Sequence, residues 1–163
     1  MKTLFLVRHA KSSWENPDVK DHERPLLQKG IKRTEKIADF LKRRKLTPGI
    51  IVSSHAVRAN ETAGLIAKHL SYPEEDIIID EKLYLSGVNS IMNVIYALPE
   101  EKDSAMIVGH NPCMTQLVNL FLETKIETLP TTGLVCVAFD TKTWSDVPLA
   151  ESKVKFVVFP KDL

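Results

Sequence analysis

Short apolar runs alternate along the chain with longer segments in which apolar residues recur at every third or fourth position. Each run is bounded by turn-forming or charged residues, a pattern that is typical of a buried β-strand. We predict six strands, at residues 3–7, 50–52, 77–79, 105–108, 134–139 and 154–159.

The segments with helical spacing predict four amphipathic helices. The first covers residues 28–44, and Pro99 ends the third. Their apolar faces are Ile31, Thr34, Ala38 and Leu41; Ala59, Ala63, Ile66, Ala67 and Leu70; Ile91, Val94, Ile95 and Leu98; and Met114, Leu117, Val118 and Phe121. Alternating strands and helices predict an α/β fold, a three-layer sandwich with a mostly parallel central sheet flanked by helices. No repeat or linker interrupts the pattern, so we expect a single domain over residues 1–163.

Composition excludes several classes of protein. The 163 residues are 44% hydrophobic and 26% charged, which is an ordinary globular balance. The formal net charge of +1 argues against a nucleic-acid partner, which would require a strongly basic face. No apolar run approaches the roughly 20 residues of a membrane span, and the N-terminus lacks the pattern of a signal peptide. Cys113 and Cys136 have no zinc-ligand spacing, so we expect free thiols in a reducing cytoplasm.

Cationic and imidazole side chains follow three of the predicted strands. They are Arg8 and His9 after the first strand, Arg58 after the second, and His110 after the fourth. Because ligands of open α/β sheets bind outside the carboxyl ends of the strands, we expect these side chains to converge on one pocket. The helices that begin there add backbone N–H groups. Guanidinium groups match phosphate oxygens, so the pocket is predicted to bind a phosphoryl group.

Three motifs give the chain a family resemblance: Arg8-His9-Ala10, Ser53-Ser54-x-x-x-Arg58-Ala59, and Gly109-His110-Asn111-Pro112. In this order they resemble the signatures of the histidine phosphatase superfamily. The resemblance runs from Met1 nearly to Leu163 and implies a fold like that of phosphoglycerate mutase. Ala10 departs from the pattern, since many members have glycine there.

Further motifs narrow the resemblance. They are Arg24-Pro25-Leu26 followed by Gly30, and Pro130-Thr131-Thr132-Gly133. With the short length and the lack of a large inserted lid, they are similar to those of the small bacterial phosphohistidine phosphatases, which act on phosphotransfer proteins.

The resemblance implies a mechanism. His9 matches the family nucleophile and would form a phosphohistidine intermediate, which water then hydrolyses. A neutral ring is available because histidine titrates near pH 6.5. Arg8 and Arg58 would clamp the phosphoryl oxygens, and His110 would donate a hydrogen bond to them. We expect no metal and no cofactor, and the sequence has no HxH, HExxH or P-loop pattern.

The proton donor is the least defined part of this site. Phosphomonoesterases of the superfamily protonate the leaving alkoxide with an acidic residue, and Glu81 is the candidate here, although its segment also resembles an ordinary loop. Imidazole leaves a phosphoramidate more readily than an alkoxide leaves an ester. A site without a strong acid therefore suits phosphohistidine better than a sugar phosphate.

Four further residues are candidates for substrate binding, each with a structural alternative. Arg24 could reach the phosphate or pin the long loop, and Ser12 could donate to phosphate or to a turn. Asn111 could cap the following helix as well as contact phosphate. Thr132 could line the pocket floor or serve the turn that contains it.

The sequence thus favours a metal-independent phosphatase that removes phosphate from phosphohistidine in a protein, for which a histidine phosphotransfer protein is the candidate partner. Two alternatives remain open. One is a phosphatase for a small phosphomonoester, and the other is a phosphate- or phosphohistidine-binding module without turnover. Pure binding does not require a nucleophile, so the presence of His9 argues against the module.

Overall fold

A six-stranded sheet forms the centre of the fold in a computed structural model that describes all 163 residues. The strands are β1 (Lys2–Arg8), β2 (Ile50–Ser53), β3 (Ile78–Ile79), β4 (Ser104–Gly109), β5 (Leu134–Phe139) and β6 (Ser152–Val158). Their order across the sheet is β3-β2-β4-β1-β5-β6. Strands β1 to β4 are parallel, and β5 pairs antiparallel with both β1 and β6. The predicted, mostly parallel sheet is confirmed.

Four helices cover the two faces of this sheet, which confirms the predicted three-layer sandwich. They are α1 (Gln28–Arg43), α2 (Val57–His69), α3 (Val88–Tyr96) and α4 (Cys113–Asn119). Because side chains alternate across a strand, Phe5 and Val7 pack with α1 and α2, whereas Leu4 and Leu6 pack with α3 and α4. No helix of the fold combines the length and apolar character needed to cross a membrane.

The register of the central strands brings the predicted reactive positions to one edge. Arg8 of β1 pairs with Gly109 of β4, and Ser53 of β2 pairs with Val108. The pairing continues one residue further, where the His9 N–H donates to the Gly109 carbonyl at 3.0 Å. The side chains that follow all three strands therefore emerge side by side.

The long polar segment between β1 and α1 folds back against the sheet edge. Ser12 forms an isolated antiparallel bridge with Leu26, and the Leu27 N–H donates to the Lys11 carbonyl at 2.9 Å. A Cβ atom on Gly30 would lie 2.4 Å from that carbonyl oxygen, so only glycine permits α1 to approach this closely. The segment is thereby held over the carboxyl edge.

Candidate active site

A cavity of about 490 Å³ opens at the carboxyl edge of β1, β2 and β4. It is lined by five cationic side chains and two imidazoles: Arg8, Lys11, Arg24, Arg33, Arg58, His9 and His110. Ser12 and Asn111 also line it, whereas no aspartate or glutamate does. The chain as a whole carries 21 acidic residues, so their exclusion from this lining makes the cavity strongly cationic.

His9 lies on the floor of this cavity with a defined ring orientation. Its Nδ1 is 2.7 Å from the carbonyl oxygen of Ala10, and a carbonyl can only accept, so Nδ1 carries the proton. The lone pair of the neutral ring is therefore on Nε2, which accepts a hydrogen bond from Nε of Arg58 at 3.4 Å. Burial, reinforced by the nearby arginines, lowers the pKa of His9 to about 4. His9 is thus neutral at pH 7, with Nε2 unprotonated.

His110 faces His9, with 5.0 Å between the ring centroids. Its Nε2 is hydrogen-bonded to Ser54 Oγ at 2.8 Å, whereas Nδ1 is buried and has no partner. Burial and the neighbouring His9 and Arg58 lower the pKa of His110 to about 3. A second neutral imidazole therefore lies beside His9, with one ring nitrogen that has no hydrogen-bond partner.

Arg8 and Arg58 bring two guanidinium groups to the same floor. Arg8 donates from one terminal nitrogen to the Leu129 carbonyl at 3.0 Å, but its buried Nε has no partner. Burial and the charge of Arg58 lower the pKa of Arg8, which shows that the two cations repel each other there. A bound phosphoryl group would relieve this repulsion and satisfy the free donor.

Asp21 holds two of the arginines in place, although the sequence motifs did not predict a role for it. Its carboxylate accepts from Arg58 at 3.0 Å and from Nε of Arg24 at 3.2 Å, and its carbonyl accepts from Arg58 at 2.7 Å. Tyr84 donates its hydroxyl proton to the same carboxylate at 2.6 Å. Partial burial raises the pKa of Asp21, but the bonds from Tyr84, Arg58 and Arg24 outweigh this effect and lower it to about 2.

The geometry of Arg58 follows from Asp21. Both terminal nitrogens of the guanidinium are engaged by Asp21, so Nε is the nitrogen that points at His9. The local signal for Asp21 is its position three residues before Arg24, inside the short turn Asp21–Glu23. Tyr84 lies 63 residues further along the chain, and no sequence pattern links it to Asp21.

Three further predicted residues, Arg24, Ser12 and Asn111, line the cavity. Arg24 donates to Ser12 Oγ at 2.7 Å and stacks its guanidinium 3.5 Å from the ring centroid of Trp14. Both side chains therefore line the cavity and also fix the loop. Asn111 accepts from the Thr115 N–H at 3.1 Å, which anchors the start of α4, and donates to the Leu129 carbonyl at 3.0 Å.

Thr132 and Glu81 do not line the cavity. Thr132 is fully buried behind the wall, at a φ of 59° that is strained for a β-branched residue. Its N–H is shared between the carbonyls of Arg8, at 3.0 Å, and His9, at 3.2 Å, so it supports the backbone of both residues from behind. Glu81 is exposed in a short turn before Tyr84. The expectation of substrate contact is thus not supported for either side chain.

The cavity is suited to a phosphoryl anion. It offers a neutral imidazole with an unprotonated Nε2, buried guanidinium donors and a second imidazole, all at strand ends and in the first turn of α2. No group of three histidine, cysteine, aspartate or glutamate side chains is placed to hold a metal ion. The arrangement can therefore bind an anion and attack it.

Comparison with known proteins identifies the family. The family model of the histidine phosphatase superfamily (branch 1) matches residues 4–84, which contain His9, Arg58 and Tyr84. An uncharacterized chloroplastic protein of Arabidopsis thaliana is 31% identical over 119 residues, which cover 68% of this chain and 54% of that protein. The chain thus spans about half the length of that relative.

Solved structures share the fold over nearly the whole chain. One from Agrobacterium tumefaciens, described as a candidate phosphohistidine phosphatase SixA, superposes with a TM-score of 0.82 at 25% identity, covering 96% of this chain and 97% of its own. The protein histidine phosphatase SixA in complex with tungstate also superposes with a TM-score of 0.82, at 20% identity and 98% coverage of both chains. The chain belongs to the histidine phosphatase superfamily, with the phosphoglycerate-mutase-like α/β fold.

Proposed function

We propose that this chain is a metal-independent phosphatase that takes a phosphoryl group from phosphohistidine in a protein and holds it on His9. The observation that carries the proposal is the unprotonated Nε2 of His9, which accepts only a long hydrogen bond from Arg58 and lies among buried arginines in a cavity without acidic lining. A module that only binds phosphate needs the arginines but not this nucleophile.

In the first step, His9 Nε2 attacks phosphorus and the bond from phosphorus to the substrate nitrogen breaks. The electron pair of that bond goes to the substrate nitrogen, and the ring leaves as neutral imidazole because its other nitrogen already carries a proton. Nε of Arg58, Nε of Arg8 and His110 stabilise the charge on the phosphoryl oxygens. Water then attacks the phosphorus, phosphate leaves, and neutral His9 is restored. Splitting the transfer into two displacements lowers each barrier.

The acids around the site favour a nitrogen leaving group. Asp21 cannot donate a proton near pH 7 because its pKa is about 2 and its oxygens accept three side-chain hydrogen bonds. Glu81 lies outside the cavity. An alkoxide leaves poorly without a proton donor, whereas imidazole does not require a strong acid. We therefore infer that phosphohistidine is preferred over a phosphate ester.

The comparisons are consistent with this substrate, because the structures with TM-scores of 0.82 are described as phosphohistidine phosphatases. We propose a phosphorylated protein as the partner, of the histidine phosphotransfer type, whose phosphorylated side chain reaches the open cavity. We place the reaction in the cytoplasm, since both Cys113 and Cys136 are free thiols.

The test compares phosphate release from a phosphohistidine-bearing protein and from p-nitrophenyl phosphate, without added metal. His9→Ala removes the nucleophile, and His69→Ala on the far end of α2 is the matched control. We expect the wild-type protein and the control to release phosphate faster from the phosphohistidine protein than from p-nitrophenyl phosphate. In His9→Ala the rate of release should fall by at least about 10³-fold. Faster turnover of p-nitrophenyl phosphate would favour the small-ester alternative, and a fully active His9→Ala would overturn the mechanism.

A further inference from the structure

A second cavity of about 320 Å³ adjoins the active site. The two cavities share Arg33, Pro130 and Thr131 in their linings, so one opens beside the other. Beyond this shared wall, the second cavity is lined by Thr128, Phe159, Pro160 and Lys161. No acidic side chain lines it either. Arg33 and the C-terminal turn thus extend the cationic surface past the catalytic floor.

Arg33 differs from the other arginines of the site. Arg8, Arg24 and Arg58 each donate to a carbonyl or carboxylate, whereas the half-buried side chain of Arg33 makes no hydrogen bond or ion pair. Its position on α1, one turn after Gly30, fixes its backbone against the loop that follows β1. A partly desolvated cation without an acidic partner has a donor set that is available to a ligand.

Lys161 approaches the same cavity from the other side. It lies in the turn Pro160–Asp162 after β6, and it also has no ion pair. Thr128 adds a hydroxyl that accepts from Asn111 at 3.1 Å and so keeps its own proton for another acceptor. Two free cations and a hydroxyl donor around one concave surface match a carboxylate or a phosphate.

We propose that the Arg33–Lys161 cavity binds a second anionic group of the substrate while the phosphoryl group lies against His9. This inference rests on the proposed function. The second anion is either an acidic side chain beside the phosphohistidine of a protein, or a carboxylate of a small phosphate compound. In both cases the substrate carries two negative groups, and the cavity selects it over a substrate with one.

A binding measurement tests the subsite without turnover. Calorimetry compares methylphosphonate with ω-phosphonocarboxylates of increasing chain length, from phosphonoacetate to 6-phosphonohexanoate. We expect one chain length to bind about 3- to 10-fold tighter than methylphosphonate, as suits a partly exposed ion pair. The preference should be lost in Arg33→Gln and in Lys161→Gln, and should weaken with added salt. Lys142→Gln, an exposed lysine beyond β5, is the matched control and should retain it.

A turnover measurement distinguishes the two sources of the anion. Phosphohistidine peptides with aspartate or asparagine beside the phosphorylated residue are compared in the wild-type protein and in Arg33→Gln. The measured quantity is kcat/KM for the aspartate peptide divided by kcat/KM for the asparagine peptide. A ratio above one in the wild-type protein that falls towards one in Arg33→Gln assigns the anion to a protein side chain. A ratio of one for both proteins, with the phosphonocarboxylate preference intact, assigns it to a small compound.

The outcomes separate the two proposals. If no phosphohistidine substrate is turned over but one phosphonocarboxylate binds tightly through Arg33, the proposed function fails and the subsite stands. If turnover is observed but no phosphonocarboxylate binds more tightly than methylphosphonate, the subsite is wrong and the proposed function stands. The same holds if the tighter binding persists in Arg33→Gln and Lys161→Gln.

Discussion

Each end of the central strand β1 carries a cation, Lys2 at the amino end and Arg8 at the carboxyl end. Only Lys2 has a hydrogen-bond acceptor for every donor. At the amino end, Lys2 is 1% exposed and donates to the carbonyls of Glu100 at 2.7 Å and Lys102 at 3.0 Å, and to the Asp103 carboxylate at 3.2 Å. The ring of Trp144, 5.2 Å from the ammonium, covers it. Every donor of this ammonium group has an acceptor, so the arrangement serves stability.

At the carboxyl end of β1, several buried polar atoms have no hydrogen-bond partner. Four buried side-chain atoms lack one. Arg8 Nε and His110 Nδ1 belong to side chains that line the cavity, whereas His55 Nδ1 and Thr132 Oγ1 belong to residues that do not line it. Leaving buried polar groups unpaired costs stability, and a fold that satisfies Lys2 so completely does not do this generally. The difference indicates that the carboxyl end is built to receive a ligand that supplies acceptors.

Arg58→Lys is the largest expected disruption of the carboxyl end. Lysine cannot bond both Asp21 positions and also point a donor at His9, so transition-state contacts are lost. We expect kcat/KM to fall by about 10²- to 10³-fold with the fold retained. Arg44→Lys, which alters an exposed arginine stacked on Phe40, should retain wild-type activity. Equal rates for both variants would contradict the role of Arg58.

The stability of the two ends can be compared directly. Lys2→Met removes three hydrogen bonds and leaves the Glu100 carbonyl without this donor, although the Lys102 carbonyl keeps its bond from the Trp144 indole. We expect it to cost about 2–3 kcal/mol of unfolding free energy. Arg8→Met removes one bond but also relieves repulsion from Arg58, so its cost should stay within about 1 kcal/mol. Urea denaturation in buffer free of phosphate and sulfate measures both. An Arg8→Met cost as large as that of Lys2→Met would remove the distinction between the ends.

Acid should destabilise the protein through the two site histidines. An unfolded histidine binds a proton below about pH 6.5, but in the fold His9 does so only near 4 and His110 near 3. The contribution of these histidines to the free energy of unfolding is therefore complete above pH 6.5 and falls as the pH is lowered towards 4. Between pH 7.5 and 5 we expect a loss of up to about 2 kcal/mol for each histidine.

The double variant His9→Gln and His110→Gln should flatten this part of the pH dependence. A double variant of His22 and His69, which lie outside the cavity, serves as the control and should keep the wild-type slope. Urea denaturation at the two pH values measures each protein. If the site variant loses as much stability at pH 5 as the wild type does, the neutral state assigned to both histidines is incorrect.

Asp21→Asn is expected to have a smaller effect, on the turnover rate. The amide cannot anchor Arg58 and Arg24 as the carboxylate does, so kcat should fall by about 10-fold. KM should not rise, because the variant leaves the pocket more positive. Tyr84→Phe removes one bond to the same carboxylate and should lower kcat by about 2- to 3-fold. Asp18→Asn, in the same loop, is the control, and a rise in KM with unchanged kcat would argue against a positioning role for Asp21.

The strand ends were predictable because the apolar runs before Arg8 and His110 are unambiguous, and parallel register then brings their ends together. The hydrogen-bond network around Asp21 was not predictable, since it joins a polar loop to Tyr84 through contacts that only the folded chain creates. The direction of β5 was also not predictable, because an apolar run carries no information about the orientation of its neighbours. The two roles considered for Thr132, in the pocket floor and in its turn, could not be separated for a related reason: its strained turn supports His9 through the backbone, where side-chain chemistry gives no signal.

The most direct test of the central claim is to trap the phosphorylated enzyme. The protein is mixed with a phosphohistidine-bearing protein, quenched rapidly in alkali, which preserves phosphohistidine, and digested for mass spectrometry. We expect the mass of one phosphoryl group on the peptide that contains His9, and no such mass in His9→Ala. Phosphate release at the wild-type rate without a phosphorylated His9, or with the phosphoryl group on another residue, would contradict the claim.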